Sequence, residues 1–204
     1  MEKGFRVKIF AQKIGTTHLY TDQGKHQVVT ALKLLKTIVG KIKSVEVDGY
    51  NSLVLIQPNE KAKPKKTITG QFKGHNVRKI IEERTDEKSE ARVNDEFSSV
   101  NLKVGDQISI VATTKGKGFQ GTVKRHGFQT GPKTHGSRNY RRPGSIGMTT
   151  PSRIPVGKKM AGHMGAVKNT AKKVQVERVD EKTDIIWVKG HIAGPNRGQI
   201  VIVK

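Results

Sequence analysis

One glycine-rich motif has the spacing of a cofactor-binding loop. Residues 116–121 read Gly-Lys-Gly-Phe-Gln-Gly, which matches the G-x-G-x-x-G pattern of dinucleotide-binding proteins. Such a loop needs a helix that begins within it and an acidic residue about 20 positions further on, which binds the ribose. Here Gly127, Gly131 and Pro132 interrupt any helix, and the first carboxylate after the motif is that of Glu177. The motif therefore favours close approach of the backbone to a phosphate chain over cofactor binding.

Three histidines in the same region, His126, His135 and His163, could act as metal ligands or general bases. Zinc ligands come in pairs at short, regular spacing, and a carboxylate usually orients a histidine base. These histidines are irregularly spaced, the chain has no cysteine, and residues 107–176 contain no Asp or Glu. We therefore expect no catalytic residue, no metal site and no cofactor. An imidazole in such a setting is suited to stacking on RNA bases or bonding a phosphate.

Positive charge is concentrated around these motifs. The chain has 204 residues, with 39 Lys and Arg against 17 Asp and Glu, a net charge of +22. Residues 107–176 contain 14 basic side chains and 11 of the 22 glycines. A long basic stretch without acids is typical of a segment that contacts a polyanion. The candidate RNA-binding residues are the basic, histidine and tyrosine side chains of this stretch: Lys115, Lys117, Lys124, Arg125, His126, Lys133, His135, Arg138, Tyr140, Arg141, Arg142, Arg153, Lys158, Lys159, His163 and Lys168.

Alternating apolar residues predict β-strands on both sides of the basic stretch. An Asp48-Gly49 pair between two of these strands predicts a two-residue hairpin turn, because both residue types tolerate positive φ. Short strands at this spacing favour a mainly β fold, a barrel or a sandwich, built from both ends of the chain. The predicted strands cover residues 5–11, 17–21, 27–35, 37–47, 50–56, 77–83, 102–111, 174–179, 184–189 and 199–203.

Composition divides the chain into three parts. We predict a β-barrel from residues 1–57, 99–112 and 173–204, a small α+β insert at 58–98, and a basic, irregular extension at 113–172. Large apolar residues are sparse in the extension, and ordering a residue costs about 1–2 kcal/mol of backbone entropy. We therefore expect the extension to order on its partner.

Membrane insertion and export are not expected. No apolar run approaches the roughly 18–20 residues that cross a bilayer. Residues 1–8 are charged and lack the apolar stretch of a secretory signal. The expected location is therefore the cytoplasm.

Four motifs carry a resemblance to a known family: residues 116–128, 134–137, 142–147 and 157–165. In this order they resemble the bacterial form of the universal large-subunit ribosomal protein family three. The resemblance continues through Trp-Val-Lys-Gly to residue 190.

The resemblance implies a β-barrel of the translation-factor type, a small insert, and a long loop that threads into the large-subunit (23S-type) rRNA. It implies early assembly near the 3′ end of that RNA, with a loop tip at 143–153 directed toward the peptidyl transferase centre. Large-subunit proteins fourteen and nineteen are the implied neighbours, and no small-molecule substrate is implied. Bacterial members commonly carry a glutamine, methylated in some, where this chain has Met148. We expect no such modification here.

Two alternatives from other classes stay open at the level of sequence. One is a nucleotide-dependent oxidoreductase that uses residues 116–121. The other is a general nucleic-acid-compacting protein or RNA chaperone, which would bind any duplex with similar affinity.

Overall fold

Strands dominate the computed structural model, which confirms the mainly β fold. The chain divides into two compact units, one formed by residues 1–113 with 168–204 and the other by 114–167. The structure describes residues 8–20, 24–59, 63, 65–72, 74–85, 91–97, 102–150 and 153–204. No helix in these ranges is long and apolar enough to cross a membrane.

The elements of the first unit lie on both sides of the second unit in sequence. Before it come β1 Lys8–Tyr20, β2 His26–Leu34, β3 Thr37–Lys43, α1 Val45–Asp48, β4 Ser52–Pro58, α2 Lys66–Gln71, β5 Val77–Arg84, β6 Glu96–Phe97 and β7 Gln107–Thr113. The second unit contains β8 Phe119–Gln120, α3 Thr122–His126 and β9 Gly162–His163. The chain then returns with β10 Lys168–Asp180, β11 Ile185–Lys189 and β12 Gln199–Val203.

Six strands of the first unit form a closed barrel in the order β1-β12-β7-β10-β11-β2. All neighbours are antiparallel. Alternation explains the core: in β7, Ile108, Ile110 and Ala112 are buried while the residues between them are more exposed. They join Ile9 and Leu32 in one apolar cluster inside the barrel. Burial of apolar surface at about 25 cal/mol per Å² is the main stabilising contribution of such a cluster.

A second sheet, in the order β5-β4-β3-β6, packs against the barrel. Leu53 and Leu55 of β4 share a buried cluster with Phe10 of β1. On the other face of β4, Ile56 packs with Phe72, which follows α2. The predicted barrel range 1–57 is therefore wrong in part, because β3 and β4 belong to this second sheet. A continuous run of buried residues in β4 marks a strand covered on both faces.

The connection between β3 and β4 also differs from the prediction. The two strands are paired as expected, but Asp48 and Gly49 do not form a two-residue turn. Asp48 is the last residue of α1, and Gly49 caps that helix with φ 80°. The Gly49 N–H donates to Val45 O at 3.1 Å, so the left-handed glycine ends a helix rather than a hairpin.

Two predicted strands near the N-terminus are one strand with a β-bulge. The pairing register between β1 and β2 shifts between Lys13 and Gly15, which marks the β-bulge. Predicted strand residues 5–7 and 21 lie outside the described ranges. At the other end, β10 starts at Lys168, because pairing with β7 begins at Lys168 and Thr113. Residues 168–172, predicted as extension, are therefore strand. The strands predicted at 27–35, 77–83, 184–189 and 199–203 are confirmed within a residue or two.

A buried lysine ties β1 to the segment before β12. Lys13 is 3% exposed, and its Nζ donates to Ile192 O at 2.5 Å and to Gly194 O at 3.4 Å. The Lys13 carbonyl accepts from Arg197 N at 2.7 Å. Burial of an ammonium group is costly unless it is hydrogen-bonded, and these backbone carbonyls supply the acceptors.

A polar network crosses the exposed side of the second sheet. Lys43 Nζ donates to both carboxylate oxygens of Glu82, at 3.1 and 3.0 Å, and Ser52 Oγ donates to Glu82 Oε1 at 2.9 Å. Hydrogen bonds from Tyr50, Lys43 and Ser52 lower the pKa of Glu82 from 4.5 to about 2. The carboxylate therefore remains ionised in moderately acidic solution.

Candidate nucleic-acid interface

Backbone hydrogen bonds close the second unit at its two ends. Thr114 N donates to Val167 O at 3.0 Å, and Val167 N donates to Thr114 Oγ1 at 3.2 Å. Next along the chain, Lys117 N donates to Met164 O and Met164 N donates to Gly118 O, both at 2.9 Å. These bonds continue into the pairing of β8 with β9. The two arms of the basic segment thus meet as a short antiparallel ladder.

The glycine motif 116–121 leads into a helix of only five residues. α3 begins after Gly121 and ends at Gly127, which has φ 70° and whose N–H donates to Thr122 and Val123 carbonyls. The prediction that Gly127 interrupts the helix is confirmed. A helix this short, with no acidic residue in the unit, lacks the features that a dinucleotide loop requires.

Two of the candidate RNA-binding side chains are bonded within the unit. Arg125 Nη1 donates to Met160 O at 2.8 Å, and His126 Nε2 donates to the same carbonyl at 2.9 Å. His126 is half-buried, and its ring lies 6.1 Å from that of Phe128. Arg125 and His126 therefore hold α3 against the irregular segment that precedes β9.

A close backbone approach shapes the segment between 131 and 140. Gly131 N donates to Tyr140 O at 2.9 Å. A Cβ at position 131 would lie 2.6 Å from Asn139 O, closer than real Cβ atoms come to an oxygen. Glycine is therefore required here. Lys133 Nζ lies 5.3 Å from the centroid of the Tyr140 ring, within the range of a cation–π contact.

The predicted tip contains an open cleft of about 520 Å³, lined by residues 144–148, Arg153 and Ile154. Ser145 Oγ donates to Gly147 O at 3.0 Å, which makes a local turn in the cleft wall. Met148 is 78% exposed. The cleft therefore has glycine backbone, one guanidinium and exposed apolar atoms on its surface.

Comparison with known proteins gives the family. A family model described as Ribosomal protein L3 matches residues 20–190. Relatives named "Large ribosomal subunit protein uL3" include that of Alkaliphilus metalliredigens, 36% identical over 199 residues and 95% of each chain. Those of Heliobacterium modesticaldum and Bifidobacterium adolescentis are 37% and 38% identical, over 95% and 98% of this chain and 94% and 96% of theirs. The chain belongs to the ribosomal protein L3 family.

In this L3-family chain, the candidate side chains are almost all at the surface. All eleven Lys and Arg residues of 114–167 are exposed. His135 and His163 are also exposed, whereas His126 and Tyr140 are half-buried. Lys168 belongs to the first unit, at the start of β10. Since the sequence of 114–167 contains no carboxylate, no ion pair inside this unit can neutralise its charge.

The structure brings together fewer of the candidates than their sequence positions suggest. Arg138, Arg141 and Arg142 flank Tyr140 in sequence, yet the cation that contacts its ring is Lys133. No group of three or more His, Cys, Asp or Glu suitable for a metal ion occurs in the described ranges.

Sequence reasoning missed one exposed group of rings, formed by His18, Tyr20 and His26 near the ends of β1 and β2. The spacing of His18 and Tyr20 on one strand was a usable signal. Their alignment with His26 depends on strand register, which the sequence did not reveal.

Proposed function

We propose that this chain is a structural constituent of the large ribosomal subunit and that residues 114–167 bind large-subunit rRNA. One observation carries the proposal: a unit of eleven exposed cations with no carboxylate of its own. Membership of the L3 family, whose relatives are named large-subunit proteins, gives the RNA its identity. The family is structural, and the function needs no catalytic group, in keeping with the expectation that the chain is not an enzyme.

The physical reason is that such a unit needs an external polyanion. Eleven like charges repel each other, and the unit has almost no apolar core to offset that repulsion: Thr122 is its only buried residue among those described. Phosphates supply the missing negative charge, and release of condensed counterions drives the association. Glycines and backbone bonds fix the course of the chain, while lysine and arginine side chains stay available to the RNA.

The finer features of the family come to this chain as part of the proposal. The closed barrel would be of the translation-factor type and would bind early, near the 3′ end of the large-subunit rRNA, in the cytoplasmic ribosome. Large-subunit proteins fourteen and nineteen would be its neighbours. From Phe119 to Gly144 the chain has about 25 residues, which span at most about 80 Å when extended. That length supports a tip at 143–153 that reaches toward the peptidyl transferase centre.

A deletion designed on the β8–β9 ladder tests the proposal. Gln120 and Gly162 are directly opposite each other, so an Asn-Gly turn can replace residues 121–161 and close a hairpin. The variant loses nine of the eleven cations and keeps the first unit intact. We expect it to fold, as judged by circular dichroism, but not to co-sediment with large subunits after a high-salt wash.

The result distinguishes the alternatives. Full co-sedimentation of the deletion variant would refute a binding role for this unit. A general RNA chaperone predicts a different pattern, in which the full chain binds any RNA duplex with similar affinity and is not enriched on large subunits.

A further inference from the structure

The far ends of β1 and β2 form a ribbon with no other strand beside it in the described ranges. β1 pairs with β12 only from Lys8 to Gln12, and β2 pairs with β11 only from Val29 to Lys33. Residues 18–20 and 26–28 have no strand partner in the described ranges other than each other, and the Val28 carbonyl also accepts a hydrogen bond from Gly190 N at 2.8 Å. This ribbon therefore lacks the neighbours that cover the same two strands inside the barrel.

The β-bulge in β1 decides which side chains share the inner face of this ribbon. Lys13 is opposite Leu32, and Gly15 is opposite Ala31, so Ile14 is the extra residue. Before the bulge the inward residues of β1 are odd-numbered, as for Ile9 and Ala11. After it they are even-numbered, because Thr16 is opposite the buried Thr30.

The same alternation places His18 and Tyr20 on that face, opposite Val28 and His26. The His18 and His26 ring centroids are 4.5 Å apart with a tilt of 33°. Tyr20 and His26 meet edge to face at 5.7 Å. Tyr20 is 76% exposed and Val28 is 38% exposed. A face that is buried inside the barrel thus continues into solvent as a layer of rings.

We propose that the rings of His18, Tyr20 and His26 form a second RNA-contact site, on which an unpaired base of the large-subunit rRNA stacks. The proposal rests on the function proposed above but concerns a different unit of the chain. Histidine and tyrosine rings are the usual platforms for single-stranded bases.

Charge supports an RNA base as the occupant. The six residues of this face, Thr16, His18, Tyr20, His26, Val28 and Thr30, include no carboxylate. The exposed Lys25 directly precedes His26 in the chain, and the whole protein carries a net charge of +22. A phosphate attached to the stacked base would therefore meet no repelling group on this face.

A purely structural role is the competing explanation, since cross-strand ring pairs stabilise β-ribbons. Two substitutions separate the roles. Tyr20→Phe keeps the planar ring, whereas Tyr20→Leu keeps an apolar side chain that fits a strand but cannot stack. Base–aromatic stacking contributes about 1–3 kcal/mol per base, so Tyr20→Leu should weaken binding to deproteinised large-subunit rRNA about 5- to 150-fold. Tyr20→Phe should bind as the unsubstituted chain does. Val47→Ala, at an 82% exposed position in α1, is the matched control and should also bind normally.

Ultraviolet cross-linking in isolated large subunits gives an independent readout. Trypsin releases residues 14–25 and 26–33 as separate peptides, and we expect RNA adducts on at least one of them. Adducts only on peptides from 114–167, with equal affinity of the Leu and Phe variants, would overturn the ring site alone. Reduced incorporation of Tyr20→Leu with unchanged rRNA affinity would assign the rings to a protein partner and also overturn it. If no peptide of the chain carried an adduct, the proposed function itself would fail.

Discussion

Lys158 and Lys159 offer a quantitative test of phosphate contact in the second unit. Both side chains are exposed, and neither has a hydrogen-bond or ion-pair partner among the described residues. The turn that carries them is fixed by Lys158 N, which donates to Pro155 O at 3.3 Å. Replacement of both by Gln therefore removes two charges without breaking a described contact. If both contact phosphates in the complex, the double substitution should weaken the salt dependence of RNA binding.

The expected magnitude follows from counterion release. Each neutralised phosphate contributes about 0.7–0.9 to the slope of log K against log salt. Loss of two contacts should therefore reduce the slope by about 1.4–1.8. Between 50 and 200 mM salt, the affinity of the unsubstituted chain should fall about 7- to 12-fold further than that of the variant. Filter binding of large-subunit rRNA at four or five salt concentrations measures this difference.

A matched control separates local contact from overall charge. Lys36 and Lys41 form ion pairs within the first unit, with Glu96 at 2.5 Å and with Asp48 at 3.1 Å. Their replacement by Gln changes the net charge by the same amount as the Lys158 and Lys159 substitutions. We expect the control pair to leave the slope unchanged. Equal slopes for all three proteins would show that Lys158 and Lys159 remain in solvent in the complex, and equal losses in both variants would show that only total charge matters.

Three further substitutions test how each unit is held together. Lys13→Met should lower Tm by about 2–12 °C, because it leaves buried carbonyls without hydrogen bonds, at a cost of about 1–3 kcal/mol. Lys33→Met, at an exposed position, should leave Tm unchanged. Equal Tm values for the two variants would mean that the buried ammonium makes no net contribution to stability. Glu82→Gln should reduce the loss of stability between pH 4.5 and about 2, because the lowered pKa of Glu82 contributes stability above pH 4.5 that is lost as the pH falls toward 2. Acid unfolding curves that stay superimposable would contradict this. Gly131→Ala should speed amide exchange locally in 131–140 but not in the barrel. Gly121→Ala, which has open space for its Cβ, should leave exchange in 131–140 unchanged. Unchanged exchange in 131–140 of the Gly131→Ala variant would show that the close approach does not hold the segment.

Strand positions were largely predictable because their physical cause is local. In β7 and β12, alternation or a short apolar run between polar residues is enough to mark a strand. The assignment of strands to sheets was not predictable in the same way. β4 reads as an ordinary strand, and only its burial on both faces, by Leu55 on one side and Ile56 on the other, assigns it to the second sheet. Such contacts join residues far apart in sequence.

The errors at Asp48-Gly49 and at the bulge have a common origin. A glycine with positive φ serves equally as a hairpin turn or as a helix cap, and the choice at Gly49 depends on whether the preceding residues form a helical turn. At Ile14, one extra residue exchanges the two faces of β1. For this reason the ring face of His18 and Tyr20 could not be read from the alternation of the sequence alone.

The candidate interface was predictable in composition but not in internal contacts. Absence of carboxylates from 114–167 is a property of the sequence, and it flags every cation there equally. The structure separates them: Arg125 donates to the chain's own Met160 carbonyl, and Lys133 contacts the Tyr140 ring. Pairings of this kind depend on where the returning arm lies.

The two units illustrate different physical solutions to holding a chain in place. In the barrel, apolar side chains are buried, so the surface can carry charges of both signs without loss of the fold. In 114–167, no apolar core and no internal ion pair is available. The hydrogen bonds that fix the local course of the chain have backbone oxygens as acceptors, as at Val167, Met160 and Tyr140. Backbone acceptors carry no net charge, so these contacts leave the repulsion among the cations uncompensated. On the function proposed above, an external polyanion would lower the free energy of this unit by neutralising it, and RNA would be a part of its folded state as much as its ligand.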